Sequence, residues 1–251
     1  MQGPPLPQCG DAIFFDFDGT LADIAAHSDA VWVDASVPYC LTLLAHALGG
    51  AVAVVSGRPV HEIDALLRPL RLPTAGVHGA ERRGPDGFLR RIATSDLGPA
   101  RDLAQALVDQ YPALRLELKP GALALHYRQA PELEDACVIT MTSAQQLVQG
   151  MALLRGKMVV ELKPSRASKG LAISAFLAER PFRLRRPWVF GDDVTDEVAF
   201  EAVLGLGGVA VKVGEGETLA PYRLADPAAL HDWLQRAVVS LGASQTHEAT
   251  T

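Results

Sequence analysis

Two carboxylates stand directly after a run of apolar residues near the start of the chain. The stretch DAIFFDFDGTLADI, residues 11–24, leads from Ile13-Phe14-Phe15 into Asp16 and Asp18. Side chains two residues apart on an extended chain point to the same side, so the two carboxylates face one region. Burying a carboxylate is unfavourable unless a metal ion or a base compensates its charge. The spacing therefore indicates a reactive or metal-binding pair at the end of a buried strand.

Polar residues also follow other short apolar runs. Ser56-Gly57-Arg58 follows AVAVV, the segment 163–169 leads into a predicted helix, and RPWVFG is followed by Asp192, Asp193 and Asp196. Ligands of open parallel sheets bind at the carboxyl ends of the strands, so we expect these groups to converge. Clustered carboxylates need a counter-ion, and a site made of oxygen ligands suits Mg²⁺.

The elements that position these groups alternate between strand and helix. The strand patterns are AIFFDFDGT, GGAVAVVSGRP, RPWVFGDDVTD and LGGVAVKVG, and each is continuously apolar, as is typical of strands buried on both faces. Helical patterns lie between them at 31–48, 59–68, 169–179 and 195–204. This alternation predicts an α/β fold with an open, Rossmann-like parallel sheet.

The middle of the chain has a different pattern. LRLELKP (114–120) and ALALHYR (122–128) alternate apolar and polar residues around Gly121, which predicts an antiparallel hairpin with one polar face. Predicted helices over 97–110 and 131–149 flank it, and two strands follow over 151–164. We interpret this segment as an inserted α+β cap domain. The predicted divisions are core 1–93, cap 94–164, core 165–240 and a disordered tail 241–251.

The composition excludes several classes of protein. The chain has 251 residues, 49% of them hydrophobic, and a net charge of −6, which disfavours binding to nucleic acid through a basic surface. Its three cysteines have no paired spacing and indicate reduced thiols. The first residues lack the pattern of a signal peptide and no run is long and apolar enough to span a membrane, so we expect neither feature. We therefore expect a cytoplasmic protein without a membrane or nucleic-acid partner; its oligomeric state is not predicted.

Four motifs resemble, in order, those of the phosphatases of the haloacid dehalogenase superfamily. They are DFDGTL, SGR, a lysine before a helix, and GDDVTDE. The resemblance is closer to the trehalose-6-phosphate phosphatases and covers residues 12 to 213. It is carried by GVHGAE (76–81), LELKPGALALHYR (116–128), VVELKPSRASKG (159–170) and GDDVTDEVAF (191–200). It implies a haloacid dehalogenase core with a cap, and Mg²⁺-dependent hydrolysis of trehalose 6-phosphate.

The resemblance also implies roles for the core residues. Asp16 is the nucleophile that forms a phospho-aspartyl intermediate, and Asp18 is the general acid and then the general base. Ser56 binds the transferring phosphoryl group. Lys169 offsets negative charge on Asp16 and on the phosphoryl oxygens. The hydroxyl of Thr20 can donate a hydrogen bond to a phosphate oxygen.

The predicted metal ligands are acidic. Mg²⁺ is expected beside Asp16, the backbone carbonyl of Asp18 and Asp192. Asp193 and Asp196 are expected to hold metal-bound waters or to orient a lysine, and Asp193 is the one of these two that we count among the metal-binding residues. Both are also well placed to cap the helix that follows, and the two roles can coexist.

Substrate selection is expected from the cap. By resemblance Glu117, Lys119 and Glu161 contact sugar hydroxyl groups, for which carboxylates and an ammonium group are suitable partners. The alternative is an exposed face of ion pairs on an antiparallel sheet. His126 and Arg128 either contact substrate or support the hairpin.

The sequence leaves other assignments open. Arg58 either binds substrate or pairs with an acid, and Lys163 competes with Lys169 for the phosphoryl group. His78 is expected to order the loop between core and cap.

The function also has alternatives. A related capped phosphatase would act on sucrose phosphate or mannosyl-phosphoglycerate, and a phosphomutase would keep a similar core. A non-catalytic domain that senses sugar phosphates is expected to lack one of the two aspartates, and both are present.

Overall fold

The computed structural model of the chain describes residues 3–25 and 30–248. Its strands, numbered in chain order, are β1 (Asp11–Phe15), β2 (Val52–Val55), β3 (Thr74–Gly76), β4 (Glu81–Arg83), β5 (Leu89–Arg91), β6 (Arg115–Lys119), β7 (Ala122–His126), β8 (Met151–Gly156), β9 (Val159–Pro164), β10 (Arg186–Gly191), β11 (Val209–Val213) and β12 (Tyr222–Leu224). Its α-helices are α1 (Ser36–Ala47), α2 (Val60–Leu66), α3 (Gly98–Gln110), α4 (Glu134–Gln146), α5 (Lys169–Leu177), α6 (Val194–Leu204) and α7 (Pro227–Glu248).

Eight strands form the main sheet, in the order β12-β11-β10-β1-β2-β3-β4-β5. β1 lies in its centre and pairs in parallel with β10 on one side and β2 on the other. The strands β1, β2 and β11 are buried along their whole length, which explains their largely apolar sequences. Among the described strands of this sheet, the pairings of β3 with β4 and of β4 with β5 are antiparallel, and the other pairings are parallel. The predicted α/β fold with an open parallel sheet is confirmed.

The sequence patterns predict the long elements and miss the short ones. The helix predicted over 31–48 begins only at Ser36, where Asp34 accepts a hydrogen bond from the Ser36 backbone N–H. β4, β5 and β12 have three residues each, and the sequence ERR of β4 carries no apolar pattern. Such strands form because a neighbouring strand supplies hydrogen bonds, a condition that local sequence does not reveal.

Aromatic side chains hold the main sheet against its helices. Phe14 of β1 contacts Phe176 and Phe182, with ring centroids 6.0 and 5.3 Å apart. Phe190 of β10 contacts Trp233 of α7 at 4.6 Å. Burial of one such side chain stabilises the fold by roughly 2–3 kcal/mol. β1 also pairs directly with β10, where the Phe15 and Phe190 rings stack 5.0 Å apart, and the carboxyl ends of both strands are followed by acidic residues.

The strands β6 to β9 form a second, antiparallel sheet in the order β6-β7-β9-β8, and helices α3 and α4 belong to the same segment, residues 98–164. Leu123, Leu125, Val160 and Leu162 pack with residues of α3 and α4 in a separate hydrophobic cluster. Because successive strand residues alternate between faces, the intervening polar residues lie on the opposite face. The predicted polar face of the hairpin is therefore the face of the sheet that helices α3 and α4 do not cover.

A cluster of small apolar residues connects the two sheets. Val77 and Ala80 follow β3, and they pack with Ala122 at the start of β7 and with Ala167 before α5. The division of the chain at residues 94 and 164 stays a prediction.

The predicted disordered tail, 241–251, differs in part from the structure. The backbone of residues 241–248 continues α7, and residues 249–251 lie outside the described residues. No described helix has the length and apolar character that crossing a bilayer requires.

Gly170 allows α5 and α6 to approach closely, and a side chain there should destabilise the fold. A Cβ at residue 170 would lie 2.9 Å from the carbonyl oxygen of Val198 on α6. Gly170→Ala should therefore lower the free energy of unfolding by about 1–3 kcal/mol through overpacking, against the usual preference for alanine in helices. Urea denaturation measures this change.

Gly242→Ala in α7 is the matched control. A Cβ at residue 242 meets nothing within 4 Å. This substitution should raise stability by about 0.5 kcal/mol, because alanine is the better helix former. Equal effects of the two substitutions would contradict the assigned contact.

Candidate active site

The carboxyl ends of β1 and β10 bring two aspartates together. The Asp16 backbone N–H donates to the Phe190 carbonyl oxygen at 2.9 Å, which continues the pairing of the two strands by one residue. Gly19 lies in the turn after β1 with a φ of +79°, and a Cβ there would overlap the Asp192 carboxylate. Glycine at this position therefore permits Asp192 to approach the turn that carries Asp18.

Three carboxylates and one ammonium group form the centre of the site. Asp16, Asp192 and Asp196 each offer an oxygen atom, and these oxygens lie within 4.8 Å of one another. Lys169 Nζ lies 2.8 Å from Asp16 Oδ1 and 2.7 Å from Asp196 Oδ1. Lys169 is the first residue of α5, where the Ser168 side chain caps the helix. We call these four residues the acidic cluster.

Burial and mutual repulsion shift the pKa values of the acidic cluster. Burial, and next the charge of Asp196, raise the pKa of Asp16 well above its usual range, although Lys169 opposes this effect. The same causes raise the pKa of Asp192 to about 6. Burial acts to lower the pKa of Lys169, but Asp16 and Asp196 raise it above its usual value. Three carboxylates and one ammonium carry a formal charge of −2, which a divalent cation would neutralise, so these residues fit a metal ion.

Asp193 and Asp196 form a capping box at the start of α6. The Asp193 side chain accepts a hydrogen bond from the Val194 backbone N–H at 2.7 Å. Asp196 Oδ2 accepts from the backbone N–H groups of Asp192 and Asp193, each at 3.2 Å. Asp196 thus caps the helix with one oxygen and binds Lys169 with the other. The structure places Asp196 in the acidic cluster and Asp193 at its edge, whereas the sequence favours Asp193 as the metal ligand.

Asp18 pairs with Arg58. Arg58 Nε and Nη2 donate to the two Asp18 carboxylate oxygens at 2.7 and 2.8 Å, and Nη1 donates to Glu62 at 3.1 Å. Arg58 therefore pairs with acids in this structure, one of the two alternatives that the sequence leaves open. Asp16, Asp18 and Arg58 all line the same cleft.

Three other predicted residues differ in their positions. Ser56 lines the cleft, and its hydroxyl accepts a hydrogen bond from the Arg58 backbone N–H at 3.1 Å. Thr20 is fully buried, and its hydroxyl has no partner within the described part of the chain. Lys163 donates to the carbonyl oxygen of Ala167. Neither Thr20 nor Lys163 is among the described residues that line the cleft.

The polar face of the cap sheet forms the opposite wall of the cleft. Lys119 Nζ lies 3.2 Å from Glu161 Oε1, and His126 Nε2 lies 2.7 Å from Glu117 Oε2. Burial acts to raise the pKa values of Glu117 and Glu161. His126 and Lys119 nevertheless lower the pKa of Glu117 below its usual value, and Lys119 and His78 lower that of Glu161. Both carboxylates are therefore ionised acceptors suited to hydroxyl groups.

Arg128 is exposed and donates to the Lys157 carbonyl oxygen at 3.1 Å. It lines the cleft with the four cap residues above. The predicted cap residues other than Lys163 thus line a cavity of about 210 Å³, and Asp16 and Asp18 of the core line the same cavity.

Some residues of the site escape sequence reasoning. Glu62, Lys157 and Thr195 also line the cleft. Lys212 is buried in β11 and donates to the Asp192 carbonyl oxygen, which helps to fix the end of β10. A lysine within the apolar run VAVKV is the one signal that could have indicated Lys212, since a buried ammonium group requires an acceptor.

Comparison with known proteins gives consistent matches. The family model described as trehalose-phosphatase matches residues 14–228. The chain is 49% identical over 236 residues to the trehalose-6-phosphate phosphatase of Escherichia coli (strain K12), covering 92% of this chain and 87% of that protein. It is 43% identical to the probable trehalose-phosphate phosphatase of Sinorhizobium fredii, covering 81% of this chain and 77% of that protein.

Solved structures agree with the sequence matches. A crystal structure of a trehalose-6-phosphate phosphatase related protein superposes with a TM-score of 0.77 and 28% identity. The match covers 94% of this chain and all of that one. The fold therefore agrees across nearly the whole chain, core and cap included.

Asp192→Asn should stabilise the metal-free protein at neutral pH. The pKa of Asp192 is raised from 3.8 to about 6 in the folded state, so wild-type stability falls as pH rises through that window. Asparagine has no charge to repel its neighbours. In EDTA at pH 7 the free energy of unfolding of the variant should exceed that of wild type by about 1–3 kcal/mol, a range that allows for the partial exposure of Asp192. The gain should vanish near pH 4, and thermal unfolding at both pH values measures it.

Asp193→Asn is the control for loss of one negative charge. Asparagine caps helices as well as aspartate does, so this variant should change stability by less than about 0.5 kcal/mol. Saturating Mg²⁺ should stabilise wild type more than Asp192→Asn, because a ligand stabilises the state that binds it. A metal-free Asp192→Asn protein less stable than wild type at pH 7 would contradict the repulsion assigned to the cluster.

Proposed function

The chain belongs to the trehalose-phosphatase family, and from that membership we propose that it hydrolyses trehalose 6-phosphate to trehalose and inorganic phosphate. The observation that carries the proposal is a single cleft with two chemically different ends. The acidic cluster lies at the core end, and paired acidic and basic side chains of the cap lie at the other. A phosphate ester of a polyhydroxylated sugar needs both kinds of surface.

Asp16 is the proposed nucleophile. An Asp16 carboxylate oxygen attacks phosphorus, the bond between phosphorus and the sugar oxygen breaks, and a phospho-aspartyl intermediate forms. Water then attacks phosphorus and releases inorganic phosphate with the carboxylate regenerated. The nearby ammonium group of Lys169, 2.8 Å from Asp16 Oδ1, opposes the burial that would otherwise protonate the nucleophile.

Asp18 is the proposed general acid and base. It donates a proton to the leaving sugar oxygen in the first step and takes a proton from the attacking water in the second. The pairing of Asp18 with Arg58 fixes its carboxylate in the cleft. Ser56, at the end of β2, is the proposed hydroxyl donor to the phosphoryl oxygens.

The proposed cofactor is Mg²⁺. Asp16 and Asp192 would hold it with the backbone carbonyl of Asp18, and Asp193 and Asp196 would orient its surroundings. When bound, the cation neutralises negative charge so that a phosphate dianion can enter the site. Lys169 meanwhile pairs with Asp16 and Asp196, which holds both carboxylates in place and opposes protonation of Asp16.

The cap is proposed to select the sugar. Glu117, Lys119 and Glu161 present ionised groups toward the cleft, and His126 holds Glu117. A ligand that lacks the matching hydroxyl groups would leave these buried polar groups unpaired. Such a site therefore discriminates between sugars more strongly than an apolar pocket does. Closure of the cap over the disaccharide would exclude water from the reaction.

The test of this function is phosphate release from a panel of esters. Trehalose 6-phosphate should be preferred over sucrose phosphate, mannosyl-phosphoglycerate, glucose 6-phosphate and p-nitrophenyl phosphate by at least about tenfold in kcat/KM. EDTA should abolish the activity, and Mg²⁺ should restore it. Asp16→Asn should lower kcat by at least about 10³-fold on every ester, since it removes the nucleophile.

The panel separates the alternatives. Preference for sucrose phosphate or mannosyl-phosphoglycerate would reject the proposed substrate and leave the core chemistry standing. Phosphoryl transfer to a second sugar without net phosphate release would identify a phosphomutase. Binding of trehalose 6-phosphate without turnover would identify a sensor domain.

Lys169→Met and Lys163→Met should differ strongly in activity. Lys169 contacts Asp16, so its loss should lower kcat by about 10²–10³-fold, as for other preorganised charges at a reacting centre. Lys163 donates to the Ala167 carbonyl oxygen and does not line the described part of the cleft, so its loss should lower kcat less than about threefold. Assays with saturating substrate at a temperature where both variants are folded measure the difference. A larger loss in Lys163→Met would exchange the roles of the two lysines.

A further inference from the structure

Lys119 joins the cap directly to the loop Ser56-Gly57-Arg58 of the core. Its ammonium group donates to the Gly57 carbonyl oxygen at 3.1 Å and lies 3.2 Å from Glu161 Oε1. The Lys119 side chain is almost fully buried, and Glu161 is likewise buried. The group assigned to sugar recognition is thus bonded to the loop assigned to the phosphoryl group.

The core holds the same loop from its other side. The His78 backbone N–H donates to the Ser56 carbonyl oxygen at 2.9 Å, and the Val77 N–H donates to the Arg58 carbonyl oxygen at 3.0 Å. A Cβ on Gly57 would lie 2.8 Å from the His78 ring. The loop therefore lies between His78 on the core side and Lys119 on the cap side.

Val77 and His78, which make these contacts, both adopt an unfavourable backbone conformation. Their φ angles are +49° and +55°, in the left-handed region. This conformation costs about 1–2 kcal/mol for a residue with a side chain, and glycine would avoid that cost. Such strain is often found at functional sites, so the presence of histidine suggests that its side chain has a role.

The His78 ring reaches from the core to the cap. Its Nε2 atom lies 3.3 Å from Glu161 Oε2, and within the described residues neither atom makes a well-aligned hydrogen bond. Glu161 Oε1 faces Lys119 on its other side. Despite burial, the charges of Lys119 and His78 lower the pKa of Glu161 below its usual value, so the carboxylate is ionised. His78 also lines the cleft.

We propose that His78 is a positioning residue that acts through Glu161 to hold the sugar-recognising groups of the cap over the phosphoryl-binding loop of the core. The proposal deepens the proposed function and rests on it. With His78 in place, Glu161 is fixed between two partners, one from each domain, and Lys119 spans from Glu161 to Gly57. Without it, Glu161 and Lys119 would be free to turn away from the sugar hydroxyls. The loss should therefore affect sugar esters far more than a small aryl ester.

The test compares His78→Gln with His78→Leu. Both side chains carry a Cβ, so both retain the backbone strain, and they are similar in size. Only glutamine can donate a hydrogen bond to Glu161. The readout is the ratio of kcat/KM for trehalose 6-phosphate to that for p-nitrophenyl phosphate, measured with Mg²⁺. His61→Leu, an exposed histidine on α2, is the control for replacing a histidine.

The expected result is a graded loss of sugar preference. His78→Leu should lower the ratio at least about tenfold, mainly by raising KM for trehalose 6-phosphate. His78→Gln should keep it within about threefold of wild type, and His61→Leu should leave it unchanged. Thermal unfolding should give similar stabilities for the leucine and glutamine variants at residue 78. Equal ratios in these two variants, whether lowered or not, would overturn the proposal.

A double substitution tests whether His78 acts through Glu161. If it does, His78→Leu combined with Glu161→Gln should lower the ratio no further than Glu161→Gln alone. Additive losses would show that His78 acts independently and would overturn the proposal.

Failure of the proposed function would be visible in the wild-type protein. If wild type cleaved another sugar phosphate in preference, the same comparison would be made on that ester, with the same expected ratios. Hydrolysis of p-nitrophenyl phosphate alone, with no sugar phosphate cleaved, would overturn both proposals.

Discussion

The buried ammonium group of Lys169 is the interaction on which the rest of the site depends. It lies between Asp16 and Asp196, at 2.8 and 2.7 Å, in a region where Asp192 adds a third carboxylate. Three negative charges so close together and out of water would favour protonation, and a protonated aspartate is a poor nucleophile. The ammonium group of Lys169 opposes protonation of Asp16, but it leaves the four groups with a formal charge of −2. The remaining negative charge of the acidic cluster therefore matches the charge of one divalent cation.

Several contacts around Lys169 hold it and the neighbouring carboxylates in position. Gly170 lets α5 lie against α6, so that the first residue of α5 reaches Asp196. The second oxygen of Asp196 accepts hydrogen bonds from the backbone N–H groups of Asp192 and Asp193, which fix the carboxylate. Lys212 fixes the carbonyl of Asp192 from β11. Helix capping and catalysis are thus not competing explanations for Asp196, because one carboxylate has two oxygens and uses each for a different purpose.

Sequence reasoning predicts the fold and most members of the site, and it fails where contacts between distant segments decide. The buried strands β1, β2, β10 and β11 and the alternating strands of the cap have local patterns, so their polar ends and faces can be read directly. The choice between Asp193 and Asp196 depends on which carboxylate meets Lys169, 27 residues away along the chain. Thr20 and Lys163 have suitable chemistry, but neither is among the described residues that line the cleft, and Lys163 donates instead to the Ala167 carbonyl oxygen. The three-residue strands β4 and β5 form because β3 pairs with β4 and β4 in turn pairs with β5.

His78 shows most clearly why a local description is incomplete. The sequence GVHGAE indicates a loop between core and cap, and the backbone hydrogen bonds of Val77 and His78 do order the loop Ser56-Gly57-Arg58. That role needs only the backbone, and glycine would fill it with less strain. The imidazole ring instead lies against Glu161 of the cap, 83 residues further along the chain. A strained residue whose backbone serves the core and whose side chain reaches the cap joins the two ends of the cleft, so recognition of the sugar and chemistry at phosphorus share one set of contacts.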